Sequence, residues 1–139
     1  IQQFIDNLQS KEKVVRWEAV CVVGHLAAQA DPAQIIPHIP LLISYLGEKS
    51  IVLQGHSLRS LSRIAAAVPD QAGPIFEAFL EAADAFGDNK IGFVIEAMAP
   101  LIPLERFNER IAAFVEPYRY SDIKVVVRKA NKLWKQLPR

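Results

Sequence analysis

Few side chains in this sequence are suited to acid–base, nucleophilic or metal chemistry, and they are scattered. His25, His38 and His56 fall in three different segments, and none stands with a Cys, Asp or Glu at the spacing that holds a metal ion. Cys21 is the single cysteine, and no helix start or fixed base lies beside it to stabilise a thiolate. It reads as a small, partly buried residue. No glycine-rich phosphate loop and no nucleophile elbow occur. The expectation is therefore no catalytic residue, no metal and no small-molecule cofactor: a protein that is not an enzyme. What remains is charge and one aromatic. Arg59 and Arg63 lie four apart, one helical turn, among small residues. Arg128, Lys132 and Lys135 repeat that spacing near the C-terminus, Glu96 stands alone between the two groups, and Trp17 has no aromatic neighbour. Such residues recognise a charged partner.

The elements that must position them all read as helices. Residues 2–9 suit a short helix with Phe4, Ile5 and Leu8 on one side, and Ser10 suits the cap of the next. From Val14 to Ala28 the apolar positions Val15, Ala19, Val22, Val23 and Leu26 fall on one helical face. Asp31-Pro32 ends that helix and opens another, over 33–46, with Ile35, Ile36, Ile39, Leu42, Ile43 and Leu46 inward. Pro37 and Pro40 inside it predict a kink. Gly47 ends it, and Ser50 caps a helix running to Val68 with Leu53, Ser57, Leu61 and Ile64 inward. Residues 71–86 place Ile75, Phe76, Phe79, Leu80, Ala83 and Phe86 inside and Glu77, Glu81 and Asp84 outside. A turn at Gly87-Asp88-Asn89 leads to a helix over 90–102, with Val94, Met98 and Leu101 inward. A further helix spans 104–116, with Phe107, Ile111, Phe114 and Val115 inward. Asp122 caps the last, which buries Val126, Val127, Ala130, Leu133, Trp134 and Leu137. No segment alternates as a strand does.

Slid along itself, the chain repeats every 37 residues or so. Val23 falls on Leu61, Met98 and Trp134, and Leu26 on Ile64, Leu101 and Leu137. Helix pairs that recur in this way cover one another's apolar faces by stacking. The expected units are 1–30, 31–69, 70–102 and 103–139, forming one domain over residues 1–139. The residues that carry the pattern are Val15-Arg16-Trp17-Glu18-Ala19, then Val23-Gly24-His25-Leu26, with Pro37 and Pro40 inside a first helix. They resemble the HEAT repeat family, over nearly the whole chain. The resemblance implies an all-α, right-handed αα-superhelix, an armadillo-like solenoid of about four helix pairs. It also implies that the first helices form the convex layer and the second helices line the concave face. The sequence departs from the family pattern at Gln54, which replaces the repeated Arg, and at Arg128, one place out of register. Arg16 keeps the family position and suits a structural pairing with a turn carboxylate.

Helical periodicity then selects the positions opposite the core of each second helix. They are Trp17, Cys21, Gly24 and Ala28; then Gly55, Arg59, Ser62 and Ala66, with Arg63 beside them; then Gly92, Glu96 and Ala99; and last Arg128, Lys132, Lys135 and Arg139. Neighbouring helices could equally bury Trp17. The chain as a whole is nearly neutral, with 16 Lys+Arg against 15 Asp+Glu. Yet most of the bases fall on second helices, while Asp6, Glu77, Glu81, Asp84, Glu105, Glu109 and Glu116 lie on first helices. Bases on an exposed face also serve plain solvation. As a binding face, Trp17, Arg59, Arg63, Glu96, Arg128, Lys132 and Lys135 suit an acidic peptide or protein. A nucleic-acid backbone is the alternative, in the manner of HEAT-like DNA-repair proteins. Against it, no aromatic sits among the central bases to stack a base, and Glu96 interrupts the track.

At 139 residues and 51% hydrophobic, the chain can bury a real core. No apolar run reaches the length of a membrane span, so a membrane partner is not expected. One cysteine permits no internal disulfide, which fits a reducing, cytoplasmic compartment. The short first helix also fits a slice of a longer solenoid, and the lysine-rich last helix fits a solubilising end.

Overall fold

The computed structural model describes residues 1–88 and 90–138. Asn89, expected in a turn, and Arg139, expected opposite the core, lie outside the described residues. Every regular element among the described residues is helical. The α-helices are α1 (Gln2–Asp6), α2 (Lys13–Leu26), α3 (Pro32–Ile35), α4 (Ile39–Ser44), α5 (Ile51–Ala67), α6 (Ala72–Ala85), α7 (Ile91–Met98), α8 (Asn108–Val115) and α9 (Lys124–Gln136). Tighter 3-10 turns join or extend several of them. The chain divides into two compact units, Ile1–Ala78 and Phe79–Arg139, with the boundary inside α6.

Local chemistry accounts for the breaks. The Asp31 side chain accepts a hydrogen bond from the Ala33 N–H, and Pro32 follows it at the first helical position. Ser50 caps α5 in the same way, accepting from the Leu53 N–H at 3.2 Å. The single kinked helix expected over 33–46 is instead two short helices. Pro37 and Pro40 each remove a backbone donor, and a 3-10 turn at Ile36–His38 takes up the break. The helix expected over 90–102 likewise stops at Met98 and continues through Pro100 and Pro103 as 3-10 turns. The one expected over 104–116 starts late, at Asn108, after a left-handed Glu105. Ser10 and Asp122 do not cap as expected. Ser10 accepts from the Glu12 N–H just ahead of α2, and Ser121 accepts from the Ile123 N–H ahead of α9.

In the first unit α5 packs along α2. The approach is closest at Gly24, where a Cβ would lie 2.6 Å from the Ser60 Cα. Only a residue without a side chain fits there. This corrects the expected outward position of Gly24: Ala19, Val20, Val23, Gly24 and Ala27 are the buried residues, and Val15, Val22 and Leu26 are only half-buried. Buried polar groups tie the turns to the helices. The Tyr45 hydroxyl donates to the Leu8 carbonyl, and the Gln54 amide donates to the carbonyls of Leu46 and Glu48. Gln54, the departure from the Arg pattern, thus anchors its own turn. Arg16 sits 5.7 Å over the Tyr45 ring, where a carboxylate partner was expected. Burial raises the Tyr45 phenol above its ordinary pKa; Arg16 opposes that shift and Glu48 adds to it.

In the second unit α9 packs on α7, on α8 and on the turn Glu116–Tyr120. Val126, Ala130, Leu133 and Leu137 are buried as expected, and Val127 and Trp134 are half-buried. Arg119 covers the Trp134 ring at 4.4 Å and donates from Nε to the Asn131 side-chain oxygen at 3.0 Å.

Candidate functional site

Helix α9 reads KVVVRKANKLWKQ, which places Lys124, Arg128, Lys129, Lys132 and Lys135 on one helix without an acid. Its apolar stripe is turned to the core, so four of these bases are exposed and Lys129 is half-buried. Beside α7 it walls a cleft of about 390 Å³ lined by Ile95, Glu96, Ala99, Lys129, Lys132, Leu133 and Gln136. Ile95, Ala99 and Leu133 supply the apolar lining; charged and amide groups supply the rest.

Lys129 crosses from α9 to the surface of α7. Its chain lies against Gly92, where a Cβ would stand 3.0 Å from its Cδ, and its ammonium is 5.3 Å from the Phe93 ring centre. The ammonium pairs with Glu96 Oε1 at 2.9 Å. The Lys129 side chain is 20% exposed and the Glu96 side chain 55%. Gly92, expected to be outward, is therefore buried under a lysine. Of the residues the sequence selects, Glu96 and Lys132 line this cleft; Arg128 and Lys135 are exposed on α9 outside its lining. Lys129 is the participant that sequence reasoning missed. Gly92, one turn before Glu96, was its signal, because it leaves a gap that a long side chain from a neighbouring helix can cross.

The first unit carries a separate patch. Arg59 is exposed, but its guanidinium folds back over Gly55 and meets His56 Nδ1 at 3.1 Å. Burial, and then the Arg59 charge, lower the His56 pKa below its ordinary value. The neutral ring can accept from Arg59, which holds the arginine in place. Arg63 is half-buried, and Gly55 and Ser62, expected to be outward, are buried. Trp17 is half-buried, with its indole N–H enclosed and without a hydrogen-bond partner among the described residues. Gly55 lies beneath the Arg59 guanidinium, and α5 as a whole is enclosed on more of its circumference than one apolar stripe requires. Among the described residues no three His, Cys, Asp or Glu side chains gather as a metal site would need. No helix among them is long and apolar enough to cross a membrane.

Two solved structures share this fold over 97% of the chain. One is a crystal structure of an engineered protein, at a TM-score of 0.68 and 16% identity. The other is a crystal structure of computationally designed armadillo repeat proteins for modular peptide recognition, at 0.64 and 17%. The fold is that of an all-α helical-repeat protein. The chain spans 61% and 63% of the length of these two neighbours. No family model matches the sequence, and no curated protein does.

Proposed function

We propose that this helical-repeat chain is a non-enzymatic, HEAT-like interaction scaffold whose second helices bind an acidic peptide or protein. One observation carries the reading: α9 bears five bases and no acid, and two of them, Lys129 and Lys132, line a cleft that also has aliphatic residues in its walls. The α7–α9 cleft is the main contact: Lys132 and the neighbouring Arg128 and Lys135 attract the peptide, and Glu96 lies on the same lining, paired with Lys129. Trp17, Arg59 and Arg63 form a contact of their own in the first unit. The likeness to proteins designed for peptide recognition supports a peptide partner. A peptide is favoured over a nucleic-acid backbone because the cleft lining is aliphatic and Glu96 stands on it, which suits a side chain better than a row of phosphates. The half-buried free thiol of Cys21 suits a reducing, cytoplasmic setting.

The test is fluorescence anisotropy with a labelled peptide of alternating leucine and glutamate, its leucine–lysine counterpart, and a single-stranded oligonucleotide, each against salt. The acidic peptide is expected to bind, and Lys132→Glu to weaken it about tenfold through loss of one attraction and gain of one repulsion. If the oligonucleotide alone binds, with log affinity falling steeply against log salt, the nucleic-acid reading replaces this one.

A further inference from the structure

The pair of Lys129 and Glu96 is asymmetric. Lys129 lies against Gly92 and the Phe93 ring, on a side chain that is 20% exposed. Glu96 approaches from the more exposed side and can swing its carboxylate into water at small cost, as exposed members of ion pairs do. When the pair parts, the acid leaves and the base stays. The vacated position would be a cation beside Lys132, next to the half-buried Ala99, with the buried Ile95 and Leu133 beneath. A cleft of about 390 Å³ holds one or two amino-acid side chains.

We propose that Glu96 is an internal stand-in for the ligand's carboxylate: it occupies Lys129 in the free protein and yields it to a peptide aspartate or glutamate whose aliphatic neighbour enters the cleft. The inference rests on the peptide-binding reading above and sharpens it to an aliphatic–acidic pair of residues. Charge complementarity selects this occupant, since α9 offers only cations and Glu96 is the one acid of the lining. The stand-in also gives selectivity. A neutral peptide gains nothing from displacing Glu96, and a basic one meets Lys129 and Lys132.

The experiment compares wild type, Glu96→Gln and Glu109→Gln. Glu109 is an exposed acid of α8, outside the cleft, so its variant changes the net charge equally. The probes are labelled Gly/Ser peptides carrying a central Leu-Glu, Leu-Gln or Leu-Lys. Glu96→Gln is expected to tighten Leu-Glu about threefold, the scale of one exposed ion pair, and to leave Leu-Gln unchanged. Glu109→Gln is expected to do neither. Equal tightening by both variants would reduce the effect to bulk charge and overturn the proposal. Weaker Leu-Glu binding by Glu96→Gln, or loss of Leu-Lys binding that wild type possesses, would make Glu96 a direct recogniser and overturn it too. If no peptide binds any of the three proteins at low salt, the peptide-binding reading itself falls, an outcome distinct from peptides that bind but ignore Glu96.

Discussion

Glu105 holds φ at 60° and ψ at −46°, and the Arg106 N–H reaches back to the Leu104 carbonyl at 2.6 Å. This is a γ-turn of the strained hand, on a residue with a full side chain. Such backbone costs roughly 1–3 kcal/mol, whereas a glycine there costs about 0.5–1 kcal/mol in unfolded-chain entropy. Glu105→Gly is therefore expected to stabilise the protein by about 1 kcal/mol, read as a higher urea midpoint at unchanged slope. A lower midpoint would mean that the glutamate side chain contributes more than the strain costs. The turn also explains why α8 starts at Asn108: the chain must reverse before the helix can begin. Pro103 was visible as a breaker, but nothing in a glutamate announces a positive φ, so this feature was not legible.

At the scale of helices, legibility followed the sharpness of each apolar stripe. Helix α9 alternates bases with valine, alanine and leucine at helical spacing, and its buried residues were readable in advance. Helix α2 carries Val14, Val15, Val20, Val22 and Val23, which leaves no clear polar side, and its rotation was misjudged by about one position. What sets that rotation is a tertiary contact, Gly24 against Ser60, which no local pattern contains. The same blindness hid Lys129, whose place depends on Gly92 of another helix. A Cβ at residue 24 would meet the Ser60 Cα as well as its Oγ, both at 2.6 Å, and the backbone atom cannot swing aside, so α2 and α5 must separate to admit it. Gly24→Ala should therefore destabilise by about 2–3 kcal/mol, despite the better helix propensity of alanine. Thermal unfolding of Gly24→Ala beside Gly73→Ala, a helical glycine with open space at its Cβ, isolates the packing cost. Equal effects at both sites would remove the close approach as their cause.

At the scale of the molecule, the net charge of +1 conceals a separation that only the fold makes physical. Screening confines the field of an exposed charge to about 8–10 Å at ordinary ionic strength, so a ligand senses the patch it touches and not the total. Most of the bases fall on α2, α5 and α9, but several of the chain's bases are engaged within their own unit. Arg16 rests on Tyr45, Arg59 on His56, Arg119 on Trp134 and Lys129 on Glu96. Arg128, Lys132 and Lys135 are exposed on α9 with no partner among the described residues. Replacing these three by glutamate is expected to lower affinity for the leucine–glutamate peptide about a hundredfold, at about 1 kcal/mol for each exposed charge reversed. Replacing Lys11, Lys13 and Lys49 of the first unit by glutamate changes the total charge identically and should leave affinity within about twofold at physiological salt. Titrations at two salt concentrations separate the cases: the α9 variant stays weak at both, while any loss in the first-unit variant shrinks as salt rises. Equal losses in the two variants would show that total charge, and not the α9 cleft, drives association.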